Sequence, residues 1–188
     1  KDNQVYVNLF LSNRAELKLN EKKVVLEQET GYPWNGDIRV KVAQGNLPFT
    51  MNIRIPGWVR GSVLPSDLYS YADDLKLGYR VLVNGEEVTG ELRKGYLRID
   101  RKWKKGDVVE VHFDMQPRVV KANEKVVADR GRVAVERGPI VYCAEWADND
   151  FNIQNNHPEP SSEIPGDGEA RTAVWHQRNY HRSAGSWF

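Results

Sequence analysis

Phe49-Thr50-Met51-Asn52-Ile53-Arg54-Ile55 decides the fold. Phe49, Met51, Ile53 and Ile55 alternate with Thr50, Asn52 and Arg54. Successive side chains of an extended strand point to opposite faces, so this run has one apolar face and one polar face. The same reading extends outward in both directions. Val5, Val7, Leu9 and Leu11 share a face, with Tyr6, Asn8 and Phe10 on the other. Ala15, Leu17 and Leu19 alternate with Glu16 and Lys18, and Ile38, Val40 and Val42 with Arg39 and Lys41. Val24 to Glu29 begins β-branched and turns polar. Downstream, Arg80 to Val83, Gly95 to Ile99 and Val108 to Phe113 continue the series. Val119-Val120, Val126-Val127, Arg132 to Val135 and Ile140 to Ala144 complete it.

Turn chemistry separates the runs. Asn35-Gly36 and Asn84-Gly85 are hairpin signals, because both central residues of a type I′ turn need positive φ. Lys105-Gly106-Asp107 turns the chain into the strand at Val108. About a dozen short strands and no helix-period segment predict an all-β, antiparallel sandwich of jelly-roll type. Residues 1–116 are expected to form a first sandwich, and 117–150 the start of a second, incomplete β domain. Residues 151–188 read as an irregular tail rich in Asn, Pro, Ser and Gly. Residues 57–79 interrupt the alternation and read as a long loop with room for one helical turn.

Composition limits the function. The chain has 188 residues, 40% of them hydrophobic, enough for a core. Its 27 basic and 26 acidic residues leave a formal net charge of +1. A nucleic-acid binder would show a clustered basic excess, so no nucleic-acid partner is expected. No apolar run is long enough to span a membrane as a helix, and no membrane partner is expected. The chain opens on Lys1-Asp2-Asn3-Gln4 and enters a strand at once, which reads as a piece of a longer protein. The compartment is therefore not assigned.

A direct search for catalytic motifs returns little. Phosphate-cradling glycine loops, zinc-type His-x-x-x-His, Cys-x-x-Cys and the nucleophile elbow are all missing. Cys143, the single cysteine, lies in the apolar run 140–144 and reads as a buried small hydrophobe. Glycosidases set two carboxylates about 5 to 9.5 Å apart across the scissile bond. Asp73-Asp74, Glu86-Glu87 and Asp148 with Asp150 are the obvious pairs, and each reads as a solvated turn. The six tryptophans and eight tyrosines carry more interest. Trp34, Trp58 and Trp103 lie near strand ends and read chiefly as core or cap residues. Tyr69 and Tyr71, in the long loop, are candidates for exposure. With Trp58 and Trp34 they are the candidate contacts for a sugar or a neighbouring domain.

Several blocks, in shared order over residues 4–150, resemble glycoside hydrolase family 127, the β-L-arabinofuranosidase-like enzymes. They are Val5-Tyr6-Val7-Asn8-Leu9-Phe10, Gln28-Glu29-Thr30-Gly31-Tyr32-Pro33-Trp34, and Arg54-Ile55-Pro56-Gly57-Trp58. Val83-Asn84-Gly85-Glu86, Gly95-Tyr96, Arg101-Lys102-Trp103-Lys104-Lys105-Gly106-Asp107 and Met115-Gln116-Pro117-Arg118 follow. Last comes Gly131-Arg132-Val133-Ala134-Val135-Glu136-Arg137-Gly138-Pro139, leading into Ile140 to Cys143. The resemblance implies the region after a catalytic (α/α)6 barrel. That barrel is expected to hold a cysteine nucleophile, a glutamate acid/base and a zinc cluster. None of those motifs matches here, so no catalytic, cofactor or metal residue is assigned to this chain, and zinc belongs to the barrel. The leading expectation is an ancillary domain whose partner is that barrel, with residues 57–79 as the contact. An independent carbohydrate-binding module taking an oligosaccharide is the alternative, and an oligomer-forming domain is a third reading.

Overall fold

The computed structural model describes residues 3–144 and 175–176. Its strands, in chain order, are β1 Gln4–Val7, β2 Asn13–Leu19, β3 Lys22–Thr30, β4 Asp37–Gln44 and β5 Asn46–Arg54. Then come β6 Tyr69–Tyr71, β7 Tyr79–Val83, β8 Glu86–Glu87, β9 Leu92–Arg93 and β10 Tyr96–Lys104. β11 Val108–Phe113, β12 Pro117–Ala122, β13 Val133–Arg137, β14 Ile140–Ala144 and β15 Trp175–His176 complete the set. Short 3₁₀ turns occupy Trp58–Arg60 and Val127–Asp129.

Two sheets make the expected sandwich. One runs β1-β5-β10-β9 and the other β2-β3-β4-β11-β7-β8. Their inner faces are the apolar faces read from the alternation. Met51, Ile53, Ile55, Leu97 and Trp103 of the first meet Val24, Val40, Val42, Val81, Val109 and Val111 of the second in one buried cluster. The ring N–H of Trp103 donates to the Phe49 carbonyl at 2.9 Å, so its one polar atom is satisfied inside the core. Asn84 and Gly85 adopt φ of 53° and 82°, the left-handed pair expected of the β7–β8 turn. The Asn84 side chain also fastens this turn to Asp107 at 2.9 Å and to the Val108 amide at 2.9 Å.

Local reading fails at several points. The run 5–11 is not one strand. β1 ends at Val7 and pairs in parallel with β5, an exception to the antiparallel expectation. Beyond it Phe10 is the buried residue, while Leu9 and Leu11 are exposed. Buried Gln28 explains the break, because its side-chain amide donates to the carbonyls of Leu9 (2.9 Å) and Leu11 (2.7 Å). Those carbonyls are thereby satisfied without a ladder. Asn35-Gly36 is not a two-residue turn. A loop of residues 31–36, with a cis Tyr32–Pro33 bond, joins β3 to β4. Gly36 is required there by close approach, since a Cβ on it would lie 2.0 Å from the Phe113 carbonyl oxygen. Val126-Val127 is not a strand either: Val126 caps the second 3₁₀ turn and Val127, which is exposed, begins it. The polar face of β5 is not solvated either. Thr50 and Asn52 are buried and bond to Asp100, Gln4 and the Val5 carbonyl.

The third sheet runs β15-β14-β13-β12-β6. Its edge strand β6 comes from the stretch 57–79, read from sequence as a loop. Val120, Lys121 and Ala122 pair antiparallel with Tyr71, Ser70 and Tyr69. A strand from the first half of the chain thus completes a sheet of the second half. The expected boundary at 116/117 falls between elements but does not part the hydrogen-bonded ladders.

Candidate functional site

The junction between the sandwich and the third sheet carries the most concentrated polar chemistry among the described residues. In the β12–β13 ladder Arg118 stands opposite Glu136, and in the β12–β6 ladder Val120 stands opposite Tyr71. Residues two apart in a strand share a face, so Arg118, Glu136 and Tyr71 gather on one side of the sheet. Arg118 is only 4% exposed. Its guanidinium lies over the Tyr71 ring, 3.4 Å from the centroid. It also donates to Asp73 Oδ1 from Nε (3.1 Å) and Nη2 (2.8 Å), and from Nη2 to the Asp73 carbonyl at 3.2 Å. The Tyr71 hydroxyl donates to Glu136 Oε1. Nearby, the Tyr69 hydroxyl donates to Asp129 Oδ2 at 2.9 Å.

Electrostatics follow from this geometry. Hydrogen bonds from Arg118 hold the Asp73 carboxyl below its usual range. Burial, then the hydrogen bond and the charge of Glu136, push the Tyr71 phenol up. Tyr69 is raised by its bond to Asp129. One nitrogen, Arg118 Nη1, is buried with no hydrogen-bonding partner. The remaining contacts tie the same junction. Asn123 N donates to the Leu68 carbonyl at 2.7 Å, Lys125 pairs with Asp67 at 3.2 Å, and Met115 packs on Gly138. These side-chain bonds tie β6 and the loop after it to β12, β13 and the second 3₁₀ turn.

The sequence-selected residues scatter. Tyr69 and Tyr71 are half-buried and bonded to the second half of the chain. Trp58 is buried edge-on against Phe113, with ring centroids 5.8 Å apart. Only 8% of Trp58 is exposed. Trp34 departs from the core reading, at 49% exposed. The loop 31–36 carries it outward while the preceding Tyr32 packs edge-on against Phe10, centroids 5.3 Å apart. The Trp34 carbonyl accepts from Arg137 Nη1 at 3.0 Å. Of the carboxylate pairs, Asp73 is committed to Arg118, Glu86 and Glu87 are exposed on β8, and Asp148 and Asp150 lie outside the described residues. No group of three or more His, Cys, Asp or Glu among the described residues could hold a metal ion. His112 stands between Asp37 (2.6 Å) and Asp114 (3.5 Å) without a third ligand. Sequence reasoning missed Arg118 and Glu136. Only the Met115-Gln116-Pro117-Arg118 and Glu136-Arg137 blocks marked their neighbourhood.

Comparison with known proteins gives a consistent result. Residues 4–115 match the family model for the middle domain of GH127 beta-L-arabinofuranosidases, and residues 117–179 match the C-terminal domain of the same family. A curated relative, the non-reducing end beta-L-arabinofuranosidase of Bifidobacterium longum subsp. longum, is 34% identical over 157 residues. That alignment covers 78% of this chain and 20% of the relative. A solved GH127 beta-arabinofuranosidase superposes with a TM-score of 0.78 at 72% identity, over 81% of this chain and 24% of that one. The GH127 beta-L-arabinofuranosidase of Geobacillus stearothermophilus T6 gives 0.69 at 35% identity, over 82% and 22%. This chain therefore spans about a fifth to a quarter of the length of these relatives.

Proposed function

Because the chain belongs to glycoside hydrolase family 127, we propose that it serves as the non-catalytic β-sandwich region of a larger enzyme that hydrolyses β-L-arabinofuranosyl linkages. It packs on a catalytic (α/α)6 barrel, supports it and helps shape the sugar pocket. The observation that carries this reading is the pair of matches to middle and C-terminal domains, over a chain a fifth to a quarter the length of its relatives. A supporting role accords with the most concentrated polar cluster among the described residues, which holds β6 in the third sheet. A cysteine nucleophile, a glutamate acid/base and zinc belong to the barrel in this reading, and no residue of this chain is assigned to them.

The test is hydrolysis of p-nitrophenyl α- and β-L-arabinofuranosides by this chain beside its full-length parent. Activity confined to the parent is expected. Turnover by this chain alone would overturn the reading and return attention to its carboxylates and Cys143. A second reading, the independent carbohydrate-binding module, keeps one observation: the exposed indole of Trp34. It has lost Trp58 and Trp103 to the core. Calorimetric titration with an arabino-oligosaccharide separates the two, because a module binds it and a Trp34→Ala variant does not.

A further inference from the structure

Residues 8–12 carry the chain from β1, the edge of one sheet, to β2, the edge of the other. They therefore run across an open side of the sandwich. Leu9 is 71% exposed and Leu11 60%. Both flank Phe10, whose buried ring meets Tyr32 at the start of the loop that presents Trp34. The three exposed apolar side chains thus flank in sequence an aromatic pair of buried Phe10 and half-buried Tyr32.

The backbone beneath them is held firmly. Gln28 fixes the carbonyls of Leu9 and Leu11. Trp34 N donates to the Gly31 carbonyl at 2.9 Å, and Arg137 holds the Trp34 carbonyl from the third sheet. An exposed indole on a pinned loop loses little conformational freedom on binding, and tryptophan is enriched among the residues that dominate protein interfaces. Among the described residues β1, from which this segment leaves, is an edge strand of its sheet, and natural proteins cover such edges.

We infer that this side of the sandwich, built on Leu9, Leu11 and Trp34, is the surface on which the preceding domain of the parent polypeptide docks. The inference rests on the supporting-domain reading above. The occupant follows from two findings. The matched segment is a middle domain, so the family places another domain before it. Three quarters or more of each relative lies outside the aligned region. The chemistry favours a protein surface over a sugar. Carbohydrate sites pair an aromatic face with polar groups aimed at hydroxyls, whereas two leucine side chains offer no such partner. Ser12 and Asn13 border the patch, giving it the polar rim of an interface around an apolar centre.

Hydroxyl-radical footprinting of the full-length parent tests this. Rates are normalised for side-chain reactivity, with exposed Val127 as the reference in the same molecule. Leu9, Leu11 and Trp34 should be oxidised at least five-fold more slowly than Val127. Oxidation at the Val127 rate overturns the inference. So does protection that appears only with added arabino-oligosaccharide, which assigns the patch to sugar, or protection lost on dilution, which assigns it to a second copy. A parent carrying Leu9→Glu and Leu11→Glu should lose activity several-fold faster on heating, with its initial kcat/KM unchanged; unaltered inactivation also overturns the inference. Arabinofuranoside hydrolysis by the same samples tests the underlying reading separately. An active parent with a freely oxidised patch rejects the docking surface alone. A parent without that activity rejects the reading, and the footprint still decides the patch.

Discussion

Replacing Arg118 with alanine should release β6 from the third sheet and leave the sandwich intact. The guanidinium makes charge-assisted hydrogen bonds to Asp73 at 2.8 and 3.1 Å, and such bonds contribute about 1.5–3 kcal/mol. Its stacking on Tyr71 at 3.4 Å adds about 1–2 kcal/mol for a desolvated pair. Two terms oppose these. The Asp73 side chain is 41% exposed, so it rehydrates when its partner is removed. The buried, unpartnered Nη1 disappears with the side chain, and an unsatisfied buried donor costs about 1–3 kcal/mol. The net loss is about 2 kcal/mol, or about thirty-fold in the equilibrium for opening β6. Amide hydrogen exchange reads this locally. The Ala72 amide donates to the Val119 carbonyl and the Asn123 amide to the Leu68 carbonyl, so both report on this edge. Both should exchange about thirty-fold faster in the variant, while β5 and β10 stay protected. Arg118→Lys keeps the charge but loses the planar fork and the stack, so it should fall between the two. Unchanged protection at Ala72 and Asn123, or equal loss throughout β5 and β10, would refute the assignment of Arg118 as a local clamp.

Two further outcomes follow from the same geometry. Gly36→Ala should destabilise the sandwich by about 2–4 kcal/mol, because overpacking against fixed backbone costs about 1–3 kcal/mol and a ladder bond about 1 more. The atom it meets, the Phe113 carbonyl oxygen, cannot rotate away; a lowered urea midpoint checks this, and an unchanged one counts against the close approach of Gly36 to β11. Tyr71→Phe should flatten the alkaline limb of stability. The Tyr71 phenol is raised above its ordinary value of 10, so the folded state holds that proton more tightly than the unfolded chain. The resulting stabilisation is present below pH 10 and lost as pH rises through the folded value. Denaturation followed at rising pH should show a steeper fall in the unsubstituted chain than in Tyr71→Phe.

Local patterning carried the sandwich. The alternation of Phe49 to Ile55 and the Asn84-Gly85 turn are legible because period-two burial and left-handed φ depend only on neighbours in the chain. The family resemblance was legible for a similar reason, since its blocks are short and ordered. Where no such neighbours exist the reading could not discriminate, and Trp34 departed from it. Trp34 and Trp103 are one residue type near strand ends, yet one is 49% exposed and the other fully buried.

The division has a physical cause. Sequence alone determined which residues could form strands, which dipeptides could turn, and that the chain could build an apolar core. Tertiary structure decided which strands met. Tyr71 reaches Glu136 across 65 residues and Arg118 reaches Asp73 across 45. No propensity of Tyr69-Ser70-Tyr71 marks it as the edge of a sheet that begins nearly fifty residues later. Its strand forms because β12 offers an unpaired ladder and Arg118 a buried charge, and both exist only after the chain has closed on itself.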